Sequence, residues 1–274
     1  MTTTPQTTLA VGIAGLGAIG STVAKGLAAG IPGLSLAALA VRDRAKAERW
    51  LAAQEITTAI VPLGALAGRC DIVIECLPPA RFAEIAEPAI EAGKIFVPLS
   101  VGALLAHPAL IDRARATGAR ILVPTGALIG LDAVRAAAEG VIRSVRMVTR
   151  KPPRGLEGAP YLVANNISLA GLAAPLKVFD GSARDGAKGF PANVNVAAAL
   201  SLAGIGPDRT RLEIWADPGV ERNMHTIEVD AESAHFTMSI ENVPSAENPR
   251  TGQITGLSVI ALLRRLSTPL VVGT

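Results

Sequence analysis

The sequence predicts an α/β protein with an N-terminal doubly wound parallel sheet and a second, α+β domain that contains a mixed or antiparallel sheet. Half of the 274 residues are hydrophobic but only 3% are aromatic, so small and branched aliphatic residues must build the core, as in helices packed on a buried sheet. Apolar runs alternate with helical segments in the first half of the chain, which indicates parallel strands joined by right-handed crossovers. The length exceeds that of a usual single domain, so two domains are expected.

The N-terminal domain is expected to contain buried strands separated by helices. The predicted strands are 8–14, 34–41, 71–76, 94–99 and 120–123. The predicted helices are a stretch that ends at residue 28, followed by 45–53, 82–92 and 108–117. Each strand is a short apolar run, and the helices carry apolar residues at helical spacing.

The pattern changes after Gly130, where strands and helices no longer alternate regularly. Helices are predicted at 131–139 and 191–203, and strands at 141–149, 211–216, 223–230 and 234–241, with a Pro- and Gly-rich connection at 152–160. Because Asp217-Pro218-Gly219 is a turn signal, the last three strands are expected to form an antiparallel meander. Helical spacing at 251–266 predicts a final helix.

These patterns predict a first domain over residues 1–130 and an α+β domain over residues 131–246. The C-terminal segment, about 247–274, is expected to pack back on the first domain through its helix. An antiparallel sheet with one uncovered face also predicts a homodimer.

Charge and cysteine content exclude several classes of protein. With 26 basic and 23 acidic residues and few aromatics, nucleic acid is not an expected partner. Two cysteines are too few for a disulfide framework, and the spacings that would pair Cys with His in a metal site are absent, so a reducing cytoplasm is expected. The uncharged N-terminus begins with Thr and Gln and is interrupted by glycines, so neither a signal peptide nor a membrane anchor is expected. One basic cluster is interpreted as a solvated strand edge and linker without a function: Arg143, Arg146, Arg150, Lys151 and Arg154.

A glycine-rich turn, Gly15-Leu16-Gly17-Ala18-Ile19-Gly20, lies between the first predicted strand and the first helix. Its first two glycines permit a tight turn and close approach of a pyrophosphate, and the third lets the helix pack on the strand. The helix N-terminus offers unpaired N–H groups to phosphate. The turn therefore predicts a Rossmann-type dinucleotide site formed by Gly15, Gly17, Ala18, Ile19 and Gly20.

Asp43 follows the end of the second predicted strand, where a carboxylate accepts a hydrogen bond from the adenosine ribose 2′-OH of NAD. Arg42 and Arg44 flank it, and either guanidinium can pair with the extra phosphate of NADP. Simple surface charge is the alternative interpretation of the two arginines. The expected cofactor is therefore NAD or NADP.

The three histidines differ in their strand phase. His225 shares a face with the apolar Ile227 and Val229, whereas His235 lies on the polar face of its strand and His107 precedes a proline in a loop. A polar residue on an apolar face is either a hydrogen-bonded core histidine or a functional one.

The sequence resembles the aspartate dehydrogenase family over nearly the whole chain. The similarity is carried by segments 15–20, 99–104, 124–132, 181–183, 190–196 and 223–227. The resemblance implies an oxidoreductase that interconverts L-aspartate with oxaloacetate and ammonia through iminoaspartate. It also implies that His225 is the catalytic residue, and that Ala127 and Asn193 contact the nicotinamide end of the cofactor. An imidazole with a pKa near its usual value, about 6.5, is expected to move the protons.

A predicted helix start and a predicted loop support this assignment. Asn193 stands at the start of the predicted helix 191–203, where its amide can hold the cofactor carboxamide or a substrate anion, or cap the helix. Ser100 and Gly102 follow the strand 94–99, and ligands of open parallel sheets bind at the carboxyl ends of strands. Ser100, Gly102 and Asn193 are therefore predicted to contact the substrate.

Two alternative functions remain open on the sequence. One is another two-domain reductase, similar to dihydrodipicolinate reductase, although the paired histidines and following lysine of that family are not visible. The other is a dinucleotide-binding redox sensor without turnover, which would need no acid/base residue. A role in NAD biosynthesis and a role in aspartate disposal are both compatible with the resemblance.

Overall fold

The computed structural model describes residues 8–245, 248 and 251–273. Within this part of the chain the strands are β1 Leu9–Ala14, β2 Leu34–Ala40, β3 Ala59–Ile60, β4 Ile72–Glu75, β5 Ile95–Pro98, β6 Arg120–Ile121, β7 Ile142–Lys151, β8 Leu176–Ser182, β9 Thr210–Ala216, β10 Asn223–Ala231 and β11 His235–Asn242. The helices are α1 Ala18–Ala28, α2 Arg44–Ala53, α3 Ala83–Glu91, α4 Val101–Leu104, α5 Ala109–Thr117, α6 Leu131–Ala138, α7 Pro160–Ala164, α8 Ala183–Gly189, α9 Asn195–Ala203 and α10 Gln253–Arg265.

The chain divides into two compact units. Unit 1 comprises the described residues up to Ser100 together with His107–Pro124 and Gly256–Val271; the other described residues form unit 2. Segments 101–106 and 125–130, which the sequence analysis assigned to the first domain, therefore belong to unit 2. Long-range hydrogen bonds explain the difference for α4: Gly102 N donates to Asn195 Oδ1, and Arg184 donates to Leu105 O.

Unit 1 contains a six-stranded parallel sheet in the order β3-β2-β1-β4-β5-β6. The chain crosses from β1 to β2 on one side and later returns to β4 on the other, so the direction of winding reverses between β1 and β4. This arrangement confirms the predicted doubly wound sheet. The two-residue β3 was not predicted, because so short a strand has no detectable periodicity.

Helix α10 contributes to the core of unit 1. Val259 and Leu263 are fully buried in the same cluster as the apolar residues of β1 and β4. The contact with α1 is close, since a Cβ on Gly256 would lie 2.8 Å from the Thr22 Cγ2 atom. Among the described residues, no helix is long and apolar enough to span a membrane.

Unit 2 contains a five-stranded sheet in the order β11-β10-β7-β9-β8. β7 is central, antiparallel to β10 and parallel to β9, so the sheet is mixed. The predicted antiparallel pairing of β10 with β11 is confirmed, but the predicted pairing of β9 with β10 is wrong, because the two strands lie on opposite sides of β7. The turn at Asp217 instead crosses the end of β7, where Asp217 N donates to Lys151 O. Strand β8 and helices α4, α7 and α8 were not predicted from the sequence.

The two faces of this sheet differ in chemistry. Along β7, residues 145, 147, 149 and 151 are buried, and the apolar side of the sheet shares a core with α8 and α9. On the outer face, Arg146 pairs with Glu213 and Glu228, each at 2.9 Å. The basic cluster therefore does not lie at a strand edge as predicted, since β7 is the central strand and acids on its neighbours face the arginines.

Candidate active site

The glycine turn of unit 1 forms a cradle for a dinucleotide. Gly15 has a φ of +99°, and a Cβ there would lie 2.5 Å from the Cys76 carbonyl oxygen, while a Cβ on Gly20 would lie 2.1 Å from Gly15 O. Gly17 is different, because a Cβ there would meet no atom within 4 Å. Gly15 and Gly20 are thus required by the protein's own packing, whereas Gly17 faces open space at the α1 N-terminus. Ala18 and Ile19 begin that helix and place their N–H groups beside this space.

The cradle opens into a cavity of about 490 Å³, here called the cofactor cavity, whose lining includes Gly15, Gly17, Arg42, Asp43, Lys46, Trp50 and Arg81. Asp43 Oδ1 accepts a hydrogen bond from Lys46 N at 2.9 Å and so caps α2. Its second oxygen makes no hydrogen bond to a described residue. Arg44 is not among the described residues that line the cavity; it forms an ion pair with Glu48 at 2.8 Å. Sequence reasoning missed Lys46, Trp50 and Arg81, which carry no motif.

The loop after β5 is held by a buried carboxylate. Glu75 is fully buried at the end of β4 and accepts hydrogen bonds from Leu77 N at 2.7 Å and Ser100 N at 2.9 Å. The Ser100 hydroxyl lies 3.1 Å from Glu75 Oε1. Burial raises the pKa of Glu75, and the backbone N–H groups oppose that shift. The structure thus places Ser100 in a supporting network, and the N–H of Gly102 is bonded to Asn195 Oδ1.

His225 lies on the inner face of the unit 2 sheet, as the strand phase predicted. It is 2% exposed, and its Nδ1 atom lies 3.1 Å from Thr149 Oγ1, the residue opposite it on β7. Burial and the positive charge of Lys151 lower the pKa of His225 to about 3. The expectation of an ordinary imidazole pKa is therefore wrong, and His225 is neutral at physiological pH. A neutral imidazole is a proton acceptor.

Lys151 and Asn193 form the second part of this site. The Lys151 ammonium donates to Asn193 Oδ1 at 2.8 Å, and burial lowers the pKa of Lys151 to about 8. Helix α9 begins at Asn195 rather than at 191, so the predicted N-terminal position of Asn193 is wrong. Sequence reasoning placed Lys151 in the basic cluster. The signal of its burial in the sequence was strand phase, since Lys151 lies on the same face of β7 as Met147 and Thr149.

Lys151 and Asn193 line a cavity of about 380 Å³, here called the Lys151 cavity, together with Arg154, Glu157, Glu221 and Asn223, among others. Ala127, predicted to contact the nicotinamide, accepts a hydrogen bond from Asn242 Nδ2 at 3.1 Å and is partly exposed. Among the described residues, no group of three or more His, Cys, Asp or Glu side chains is arranged to hold a metal ion.

Comparison with known proteins identifies the family. The family model described as "Homoserine dehydrogenase, NAD binding domain" matches residues 15–124, and "Aspartate dehydrogenase, C-terminal" matches residues 132–266. A curated L-aspartate dehydrogenase from Bradyrhizobium diazoefficiens is 58% identical over 99% of this chain and 96% of its own length. The chain belongs to the L-aspartate dehydrogenase family.

Other similar proteins agree with this assignment. L-aspartate dehydrogenase 3 of Bordetella bronchiseptica is 54% identical over 97% of this chain and 98% of its own length. The crystal structure of an aspartate dehydrogenase from Thermotoga maritima has the same fold, with a TM-score of 0.71 at 22% identity, over 97% of this chain and 99% of that one. The resemblance found in the sequence is confirmed, and the chain is an oxidoreductase that uses NAD or NADP.

Asp43 is expected to select between these two cofactors. In this member of the L-aspartate dehydrogenase family, Asp43→Asn keeps a side-chain oxygen to cap α2 but removes the charge that holds the ribose 2′-OH and repels a 2′-phosphate. We predict an NAD affinity about tenfold lower and an NADP affinity that is unchanged or higher. Titration of cofactor fluorescence measures both, with Asp112→Asn on the surface of unit 1 as the control. Equal losses for the two cofactors would exclude Asp43 as the selecting residue.

The low pKa of His225 also predicts an acid-dependent loss of stability. The pKa is about 3 in the folded protein and 6.5 ordinarily, so the unfolded chain takes up the proton first as the pH falls. The contribution of the neutral imidazole to the free energy of unfolding is fully present above pH 6.5. It falls by about 1.4 kcal/mol per pH unit between pH 6.5 and pH 3. We predict that, between pH 7 and pH 5, the free energy of unfolding of the wild type falls by about 2 kcal/mol more than that of His225→Asn, as measured by urea unfolding. If the wild type and His225→Asn show the same pH dependence, His225 is not buried as a neutral imidazole. The control variant His235→Asn should show the same pH dependence as the wild type.

Proposed function

We propose that this protein catalyses the NAD- or NADP-dependent oxidative deamination of L-aspartate to oxaloacetate and ammonia through iminoaspartate, and the reverse reductive amination. The observation that carries the proposal is the neutral, buried His225 beside the Lys151–Asn193 pair, in a chain that is 58% identical to a curated L-aspartate dehydrogenase. Fold alone would not support a substrate, because this architecture serves many dehydrogenases.

The residues of unit 1 fit a dinucleotide. The open space in front of Gly17 and the free N–H groups of α1 suit a pyrophosphate, and Asp43 retains an oxygen for the ribose. When bound, the cofactor supplies the hydride acceptor for oxidation and the hydride donor for reduction. Ala127 and Asn193 remain the predicted contacts of its nicotinamide end.

His225 has the protonation state that the hydrolytic half of the reaction needs. Oxidation removes a hydride from Cα of aspartate and a proton from its amine, leaving iminoaspartate. Water then adds to the imine carbon, and the neutral imidazole accepts its proton as the C–O bond forms. The imidazolium returns that proton to the nitrogen of the carbinolamine, and the imidazole then accepts the hydroxyl proton as the C–N bond breaks, which releases ammonia and oxaloacetate. The reverse reaction uses the same two protonation states in the opposite order.

The Ser100–Gly102 segment has a supporting role that the sequence did not predict. Glu75 accepts hydrogen bonds from Ser100, and Asn195 accepts one from Gly102 N, so these contacts hold the backbone after β5 in place. Substrate contacts by Ser100 and Gly102 stay a prediction.

A homodimer and a cytoplasmic location belong to the same proposal. The outer face of the unit 2 sheet carries partly exposed residues on β7 and β10, as on a sheet that packs against a second copy. Both cysteines are free, which fits a reducing compartment.

The experiment that tests the function is a panel of amino and hydroxy acids, each incubated with NAD and with NADP while reduced cofactor is followed by absorbance. L-Aspartate is expected to be the preferred substrate, and oxaloacetate with ammonium should consume the reduced cofactor. Turnover of a 2-hydroxy acid or a cyclic acid in place of aspartate would refute the proposal. Cofactor binding without turnover on any substrate would favour a redox sensor.

A further inference from the structure

Lys151 differs from the other basic residues of β7 in lacking an acidic partner. Arg143, Arg146 and Arg150 each form an ion pair with Asp or Glu on a neighbouring segment. Within the described part of the chain, no carboxylate lies within ion-pair distance of the Lys151 ammonium, although Lys151 is only 6% exposed. A buried cation without a counter-charge lowers the free energy of unfolding, so Lys151 destabilises the folded protein in this position.

The sheet register places this ammonium beside the catalytic candidate. His225 lies opposite Thr149, and Lys151 follows Thr149 by two residues on the same face of β7. The two side chains are close enough for the charge of Lys151 to act on the imidazole. Lys151 lines the cavity of about 380 Å³, whereas His225 is not among its lining residues. Lys151 thus lines the cavity and also lies close enough to His225 for its charge to act on the imidazole.

The cavity has the polarity and the size for a small anion. Asn193 and Asn223 offer amide N–H donors beside Lys151, and the volume falls in the range of ligand pockets. Two acids, Glu157 and Glu221, also line it, but both are exposed, so water screens their repulsion. The ammonium has three donors and spends one on Asn193 Oδ1. The remaining donors can reach a ligand.

We propose that the Lys151 ammonium binds a carboxylate of the dicarboxylic substrate within the Lys151 cavity. This inference rests on the proposed function and deepens it, since it names the residue that recognises an acidic substrate. A carboxylate there supplies the counter-charge that the described residues do not provide, in a short charge-assisted hydrogen bond. It also offsets the positive charge near His225, so occupancy of the cavity makes the imidazole a stronger base when water has to be deprotonated.

The test is equilibrium binding of succinate, a dicarboxylate with no amine to oxidise, to the full chain by calorimetry with and without NADH. Lys151→Met removes the charge and keeps the length of the side chain. Its succinate affinity should be about 10- to 100-fold lower than that of wild type. Its melting temperature should be unchanged or higher, because an unpaired buried charge is removed. A residue with a purely structural role would show a lower melting temperature instead.

Arg150→Met is the matched control, since it removes the same unit charge from the adjacent, outward-facing position. It should bind succinate as wild type does. Lys151→Arg, which keeps the charge, should recover part of the lost affinity, and Lys151→Gln replaces Met if the Met variant does not fold. With aspartate as substrate, Lys151→Met should raise KM more than it lowers kcat.

Three outcomes would overturn the inference. They are wild-type affinity for succinate in Lys151→Met and Lys151→Gln, equal losses in Lys151→Met and Arg150→Met, and no binding of succinate or aspartate by the wild-type protein. Because succinate binding is measured without turnover, it tests the carboxylate site independently of the proposed enzymatic activity. Lys151-dependent succinate binding in a protein that does not oxidise aspartate would support the carboxylate site and refute the activity.

Discussion

Replacing His225 with Asn is expected to lower turnover by roughly 10²–10⁴-fold while cofactor affinity is unchanged, because the proton acceptor for the water molecule is lost. Asn keeps a polar group that can hydrogen-bond with Thr149 Oγ1, the atom now 3.1 Å from the imidazole. The fold should therefore persist, with a melting temperature near that of wild type at pH 7. Steady-state kinetics with aspartate and thermal unfolding on the same purified variant measure both quantities.

The exposed His235 provides the control for this variant. His235→Asn changes the same residue type on the polar face of β11 and should retain full activity and stability. If His225 is a core residue without a chemical role, its replacement lowers stability by about 1–3 kcal/mol and preserves activity per folded molecule. That result would refute the catalytic assignment.

Gly17→Ala is expected to reduce NAD affinity by about 100-fold, equal to roughly 3 kcal/mol, without changing the stability of the free protein. The backbone at Gly17 is extended, with φ −83° and ψ −166°, which alanine adopts freely. A Cβ there meets no protein atom within 4 Å and instead occupies the space assigned to the pyrophosphate. Cofactor titration and urea unfolding measure the two effects separately.

Two other glycines of unit 1 make this prediction specific. Gly20→Ala places a Cβ 2.1 Å from Gly15 O, so it should lower the stability itself by about 1–3 kcal/mol. Gly68→Ala is the neutral control, since Gly68 in unit 1 also has open space at its Cβ but lies outside the cofactor cavity. A Gly17→Ala protein that binds NAD as wild type does would show that the pyrophosphate lies elsewhere.

Most of unit 1 was predictable from the sequence because its signals are local. The longer strands of the parallel sheet are mainly apolar, and the glycine turn from Gly15 to Gly20 is a contiguous motif that follows β1 and begins α1. Arg44 shows a contact that the motif does not predict. Its side chain forms an ion pair with Glu48, four residues further along α2, and its contact with a cofactor phosphate stays a prediction.

Unit 2 was less predictable because its order depends on non-local pairing. A turn signal at Asp217 was taken to join adjacent strands, yet β7 lies between β9 and β10. Sequence patterns do not reveal which strand fills the centre of a mixed sheet, since several pairings bury the same apolar residues. The short elements β8 and α8 were missed for a related reason. Their residues include glycines and charges that carry no clear period.

The sequence by itself determined the α/β class, the dinucleotide turn, the acid at the end of β2 and the buried phase of His225, because each depends on the order of neighbouring residues. Only the tertiary structure decided the chemistry around His225. Thr149 meets it across 76 positions of chain, and Lys151 meets Asn193 across 42. The protonation states of His225 and Lys151 follow from burial and from charges brought close by folding, and neither property is encoded at a single position in the sequence.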